Sequence, residues 1–425
     1  MQLLKLTRWP FAGATLKQKP LLAATDLCVK CGLCLPECPT YQITLNENES
    51  PRGRISLIQG WASGDLKASS SLHRHIDNCL LCRSCESVCP AQVPYSKIID
   101  EFRSLAGKGP QRAAAKVTML ASRAVLVNKG ISRFASRFAA FARSSRLLAA
   151  ISQKSHLARQ LTTFLSDFQP HTRRKTFYPA PSTKKGCVGL FTGCTGELFD
   201  TETIEASIRL LGRLGFDVWL PPEQSCCGAL DLHAGDTKKA GMLAAANVRA
   251  FDRPRLDWIV TLATGCGAML KEYPAYFPQT EQLASKTVDI CQLAREVIED
   301  RQMALQPLNK TILLHAPCSL NNVLKTADAQ KALVSSIPGA TIETLDQVRC
   351  CGAAGSYMIE HPEMASALRD NILKIARATR PEYLLTPNIG CALHIKAGLK
   401  QIDMAIEVIH PIVLFERQLT SGRTI

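Results

Sequence analysis

With 425 residues, 46% of them hydrophobic and 20% charged, the chain has material for two to four domains with sizeable cores. No apolar run approaches the roughly 18–20 residues of a membrane-spanning helix. The first ten residues hold no apolar stretch ahead of a small-residue cleavage site, so an unprocessed cytoplasmic protein is expected. A net charge of +15 raises nucleic acid as a partner. Between Arg103 and Lys185, however, about 17 Lys/Arg face one acid, Asp167. The excess is therefore a local basic surface, and no nucleic-acid-binding fold is expected.

Residues 1–25 read as an extension with little structure of its own. From there to about residue 105 the chain carries two cysteine runs, Cys28-Val-Lys-Cys31-Gly-Leu-Cys34-Leu-Pro-Glu-Cys38-Pro39 and Cys79-Leu-Leu-Cys82-Arg-Ser-Cys85-Glu-Ser-Val-Cys89-Pro90. Each is C-x2-C-x2-C-x3-C-P, the bacterial ferredoxin spacing, in which the fourth cysteine serves the other of two [4Fe–4S] clusters. The spacing assigns Cys28, Cys31, Cys34 and Cys89 to one cluster and Cys79, Cys82, Cys85 and Cys38 to the other. Pro39 and Pro90 are expected to stop local helices. A zinc site takes two CxxC pairs and has no use for a third cysteine at that spacing. Eighteen cysteines make a disulfide framework only in a short secreted chain. Between the runs, Pro51-Arg-Gly-Arg-Ile55 reads as a turn into a short helix. Arg52 and Arg54 there either neutralise anionic clusters or a partner's acids, or belong to a solvated turn. Lys30 and Arg83, beside candidate ligands, either stabilise a reduced, more negative cluster or are plain surface charges.

Residues 106–185 form a basic helical connector. Phe134, Phe138 and Phe141 recur at helical spacing with Arg133, Arg137 and Arg143 interleaved. Such a face packs on its own protein, docks a partner subunit or makes peripheral contact with an anionic membrane. Pro170–Lys185 reads as a linker. From Cys187 strands and helices alternate: strands at 187–192, 216–220, 256–262, 311–315, 341–345 and 383–386, with helices over 202–214 and 362–377. Alternation of this kind predicts mostly parallel sheets. The whole is an α+β chain divided at 1–25, 26–105, 106–185, 186–305 and 306–425, the last two being repeats.

The repeat is written in cysteines. Cys194, Cys226-Cys227-Gly228 and Cys266 recur as Cys318, Cys350-Cys351-Gly352 and Cys391, about 124 residues later. Each follows a predicted strand. In an open α/β sheet the carboxyl ends of strands gather at one crevice, so each set of four is expected to converge. Gly228 and Gly352 are expected to let the backbone approach whatever is bound. Cys187 and Cys291 match no motif and are expected to be buried apolar residues.

These repeats resemble the "CCG" cysteine-rich domain of heterodisulfide reductases. Together with the twin ferredoxin runs, Pro51-Arg-Gly-Arg54 and Thr386-Pro-Asn-Ile-Gly-Cys391, they resemble the iron–sulfur subunits of bacterial glycolate oxidases over about residues 26–420. Relatives of similar layout serve lactate utilisation and anaerobic glycerol-3-phosphate dehydrogenase. The resemblance implies a redox-complex subunit with two [4Fe–4S] clusters. Electrons would pass from a flavin-containing 2-hydroxy-acid oxidase subunit, oxidising glycolate to glyoxylate, toward the respiratory quinone pool. Full CCG motifs end in CxxC; here those last positions are Met269 and His394. Cys194, Cys226, Cys227 and Cys266, and Cys318, Cys350, Cys351 and Cys391, stay candidates for a further iron–sulfur cluster, for zinc, for thiol–disulfide chemistry, for a docking surface or for packing alone. With neither Gly-x-Gly-x-x-Gly after a strand nor a Walker loop, no FAD or NAD is expected on this chain.

Overall fold

The computed structural model describes residues 16, 18–107, 168–169, 173–181, 183–253, 255–299 and 303–420. The aromatic and basic face at Arg133–Arg143 lies outside them. The chain divides into two compact units. The first comprises residues 1–115 with the short segment 230–239; the second comprises residues 116–229 and 240–425.

The first unit is helical: α1 (Lys19–Asp26), α2 (Pro39–Thr44), α3 (Pro51–Ala62), α4 (Ser70–Asp77), α5 (Ser84–Ser87) and α6 (Tyr95–Ala106). Local chemistry fixes the starts. Ser50 caps α3 by accepting from Gly53 N at 3.0 Å, with Pro51 in the first turn, and Ser69 caps α4 through Leu72 N at 3.2 Å. Pro39 does not stop a helix as expected. It opens α2, because a proline at the first helical position gives up no intrahelical donor. The expected extension over residues 1–25 is likewise structured at its end: Leu21 and Leu22 of α1 are buried, and Leu21 joins Ile55, Ile58, Ile76, Ile98, Ile99 and Phe102 in one core. Segment 230–239 belongs to this unit through His233, whose Nδ1 lies 3.1 Å from Asp100 Oδ1. The His233 carbonyl accepts from Arg103 Nη1 at 3.0 Å.

The second unit holds two sheets. In the first, β2 (Gly186–Phe191), β3 (Phe216–Trp219), β4 (Trp258–Thr261) and β5 (Thr287–Asp289) run parallel in the order β3-β2-β4-β5. Residues expected to be linker supply β1 (Phe177–Tyr178), paired antiparallel with β3 at the edge. The second sheet, β6 (Thr311–Leu314), β7 (Thr341–Thr344), β8 (Tyr383–Leu385) and β9 (Glu407–Ile409), is parallel throughout in the order β7-β6-β8-β9. The two orders are the same. Gly186 to Thr311, Phe216 to Thr341 and Trp258 to Tyr383 are each 125 residues apart, so one strand plan is laid down twice. In both, the chain steps from the first strand to one side and then crosses to the other. That reversal is a topological switch point, where α/β sheets open a crevice.

The halves are stitched together within this unit. Thr264 N donates to Pro387 O at 3.0 Å, Thr264 Oγ1 lies 2.8 Å from Ser319 Oγ, and His410 Nε2 donates to Leu262 O at 2.9 Å. Arg209 forks onto both oxygens of Glu416 at 2.9 and 2.8 Å.

Candidate metal centres and cysteine sites

The two ferredoxin-type runs share one backbone design. Lys30 and Leu81, each just before the second cysteine, have φ of 58° and 52°; Gly32 and Arg83, each just after it, have φ of 89° and 63°. Left-handed backbone is disfavoured in non-glycine residues, so its recurrence at matched positions marks a coil that both runs must adopt. The coil brings three cysteines of each run to the wall of one cleft.

Two adjoining clefts result. One is lined by Cys28, Cys31, Cys34 and Cys89, with Cys85 also in its wall, together with Arg52, Ile55, Val93 and Tyr95. The other is lined by Cys79, Cys82, Cys85 and Cys38, with Thr40, Arg54 and Tyr95. Three thiols of one run thus meet the fourth of the other in both clefts, and Cys85 and Tyr95 stand between them. None of the eight is in a disulfide. Four thiols converging on each cleft are the donor set that a thiolate-ligated cluster requires. Burial holds the free Cys34 thiol up at about 11 and pushes Cys85 well above the ordinary thiol range. Loading either cleft therefore releases protons.

The clefts differ in surroundings. Cys31 is exposed and Cys28, Cys34 and Cys89 are half-buried, whereas Cys38, Cys79 and Cys85 are buried. Arg52 sits on the surface, its Nε 2.7 Å from Glu47 Oε1. Arg54 is 1% exposed, which removes the solvated-turn reading for it. Its Nη2 donates to Glu49 Oε2 at 2.6 Å and to Thr40 Oγ1 at 3.1 Å, its Nε to His75 O at 2.7 Å, and its Nη1 reaches Cys38 Sγ at 4.0 Å. Asn78 Nδ2 donates to the same Glu49 Oε2, and His75 Nδ1 lies against Oε1, each at 2.7 Å. Lys30 bonds Ser56 Oγ and Gln59 Oε1, and Arg83 bonds Glu86, so both charges are engaged with neighbouring side chains.

In the α/β repeats the expected convergence is seen. Cys194 opens the turn after β2 and its Sγ lies 3.4 Å from Cys226 Sγ. Cys227 contacts Cys226 and Cys266, the latter on the helix after β4. In the second repeat Cys318 contacts Cys350, and Cys351 Sγ is 2.8 Å from Cys391 Sγ. The Cys226 contact, then burial, raises the Cys194 thiol well above its usual range, and Cys350 and burial do the same to Cys318. Asn388, within the Thr386–Cys391 stretch, donates from Nδ2 to Cys391 Sγ at 3.3 Å, and Tyr273, which did not stand out in the sequence, donates from Oη to Cys227 O at 2.7 Å. Met269 is buried on the Cys266 helix, and His394 turns its Nε2–H to Ala365 O at 3.0 Å. Cys291 is fully buried as expected, while Cys187 is only half-buried.

Gly228 and Gly352 have the same φ of 82°, and each donates its N–H to the sulfur two residues back, Cys226 at 3.5 Å and Cys350 at 3.4 Å. What approaches Gly352 closely is the backbone of helix Pro362–Thr379: an added Cβ would lie 2.4 Å from Ala365 O, against 3.3 Å from Ala240 Cα at Gly228. Gly352→Ala is accordingly expected to cost about 3 kcal/mol or more, combining left-handed strain with overlap. Gly228→Ala should cost visibly less. Urea denaturation of the two variants side by side checks the order.

Comparison with known proteins agrees with this layout. Residues 24–93 match the 4Fe-4S dicluster domain, and residues 188–271 and 312–396 each match the Cysteine-rich domain family. The probable glycolate oxidase iron-sulfur subunit of Bacillus subtilis (strain 168) is 31% identical over 90% of this chain and 90% of its own length. The glycolate oxidase iron-sulfur subunit of Escherichia coli (strain K12) is 30% identical over 90% of this chain and 92% of its own. Lactate utilization protein A of Geobacillus kaustophilus is 29% identical over 52% of this chain and 95% of its own. Among the described residues no helix is long and apolar enough to cross a membrane. With twin cysteine clefts, a doubled cysteine-rich fold and identity over nine-tenths of its length, the chain belongs to the family of glycolate oxidase iron–sulfur subunits.

Proposed function

We propose that the chain is the electron-transfer subunit of a glycolate-oxidising complex. Cys28, Cys31, Cys34 and Cys89 hold one [4Fe–4S] cluster, and Cys79, Cys82, Cys85 and Cys38 hold the other. The observation that carries this is the exchange of fourth cysteines between two adjoining clefts. When bound, such clusters supply one-electron exchange over a wide range of potentials. The chain's own residues do the rest. The paired coils fix the thiolates, the wall shared through Cys85 and Tyr95 keeps the two clefts adjacent, and exposed Cys31 leaves the first open to a donor. A separate flavin subunit performs the hydride chemistry that takes glycolate to glyoxylate, and electrons leave toward quinone, with the complex resting peripherally on the membrane. The relatives that serve lactate utilisation make lactate the competing substrate.

The cysteine-rich repeats support a second reading. Close thiol pairs at Cys194–Cys226 and Cys351–Cys391 could bind a further cluster or zinc, or carry thiol–disulfide chemistry. Iron and acid-labile sulfide analysis with EPR of the dithionite-reduced protein, after anaerobic purification, separates these. About eight iron and eight sulfide per chain, falling in Cys82→Ser, supports two clusters with iron-free repeats. About twelve or more iron places clusters in the repeats as well. Zinc without sulfide would overturn the electron-transfer reading.

A further inference from the structure

The first unit's two clefts hold the same donors in unlike settings, and the difference sits in two side chains outside both cysteine runs. Adding an electron to a thiolate-ligated cluster adds negative charge, which burial alone opposes. The second cleft is the more buried, yet a guanidinium and a phenol hydroxyl are built into its wall. Arg54 lines it with Nη1 4.0 Å from Cys38 Sγ. Its counter-ion Glu49, itself bonded to Asn78 and His75, takes Nη2 and the His75 carbonyl takes Nε, which leaves Nη1 as the nitrogen that reaches the thiol. Tyr95, 4% exposed, donates from Oη to Cys79 Sγ at 3.6 Å. Tyr95, Lys30 and Arg52 also line the first cleft, but the Tyr95 hydroxyl goes to Cys79, Lys30 Nζ bonds Ser56 and Gln59, and Arg52, at the surface, turns to Glu47 and to Lys30 O. In a site of low effective dielectric, a fixed cation at contact distance outweighs one screened by water.

We propose that Arg54 and Tyr95 are potential-setting residues that make the cluster on Cys38, Cys79, Cys82 and Cys85 the easier of the two to reduce. The proposal rests on the two-cluster reading above. One electron given to the pair, by dithionite in the experiment or by a flavin donor in the complex, comes to rest beside Arg54; no bond is made or broken and no proton need move. Arg54 acts as a fixed charge held by Glu49, Thr40 and the His75 carbonyl, and so does not depend on any titration of its own.

The test is an EPR-monitored potentiometric titration of the anaerobically purified full chain. Arg54→Gln should lower the reduced-to-oxidised ratio of one cluster at least tenfold at fixed potential, about 59 mV for a one-electron couple. That cluster should be the one whose signal Cys38→Ser removes. Arg54→Lys should restore most of the ratio, Tyr95→Phe should lower the same cluster by about threefold, and Arg52→Gln should leave it unchanged. Should Arg54→Gln fail to fold, Tyr95→Phe decides, since it deletes one hydroxyl from a retained ring. Equal shifts in both clusters, or none in Tyr95→Phe and Arg54→Gln at full iron content, would overturn the proposal. Wild-type protein with far fewer than eight iron would instead sink the two-cluster reading and leave this ranking without an object.

Discussion

A Cys38→Ser variant is expected to lose the cluster built mainly by the second cysteine run, although Cys38 belongs to the first. The reason is position: Cys38 caps α2 with extended backbone and lies in the wall of the cleft that also holds Cys79, Cys82 and Cys85. Cys89→Ser should do the converse, removing the cluster of Cys28, Cys31 and Cys34. Each variant should fall to about four iron, half the wild-type content. EPR of the reduced proteins then reads which signal survives. If Cys38→Ser and Cys31→Ser abolish the same signal, the runs are separate sites and the crossed assignment is wrong.

Acid sensitivity of the α/β halves is the second large effect expected. His315, His394 and His410 are buried, and burial holds each near pKa 4 instead of the usual 6.5 or so. His410 shows why: Nε2–H donates to Leu262 O while Nδ1 accepts from Ile412 N to cap the last helix, so a proton on Nδ1 would set two N–H groups against each other. A depressed folded pKa means that the unfolded chain binds protons first. The stability these groups contribute is therefore intact above pH 6.5 and lost as pH falls toward 4. At pH 5 the loss is on the order of 2 kcal/mol per histidine. Asp289 works in the opposite sense. Burial lifts its carboxyl to about 6, so its penalty is full above that pH and eases as pH falls, returning roughly 1 kcal/mol by pH 5. Three histidines outweigh one aspartate. Urea midpoints followed by far-UV circular dichroism should drop steeply between pH 7.5 and 5, and His410→Asn, which keeps a capping oxygen, should flatten the slope by about a third. A midpoint constant over that range would refute the account.

What could be read from the sequence was what depends on short spacing or on repetition. The C-x2-C-x2-C-x3-C-P runs fix a local coil, so their convergence in two clefts could be foreseen from Cys28 to Cys38 and Cys79 to Cys89 alone. The doubled Cys-Cys-Gly landmarks gave away the doubled sheet, because each sits at the carboxyl end of a strand. The misses have separate causes. β5 and β9 are three residues each, Thr287–Asp289 and Glu407–Ile409, and unlike the equally short β8 neither leads into a cysteine landmark of the repeat. Asp289 and His410, at the ends of those strands, were passed over as helix caps for the same reason. Arg54 looked like one charge in a polar turn, and nothing local distinguishes it from Arg52. Only the approach of Glu49, Thr40 and the His75 carbonyl makes it a core residue. At Gly352 the backbone that comes close is that of helix Pro362–Thr379, a neighbour no local pattern announces.

The ten residues 230–239 set a limit on how the protein can be cut and recombined. They are encoded inside the first cysteine-rich repeat, a few positions after Cys227, yet they complete the helical unit that carries the twin clefts. A fragment ending at residue 115 would leave Asp100 without His233, Arg103 without the His233 carbonyl, and the main chain of Arg103 without Gly235 against it. The unit that carries the twin clefts is thus discontinuous in the sequence. A chimaera that exchanged the amino-terminal quarter between homologues would have to carry this decapeptide along with it, and drift in either stretch constrains the other.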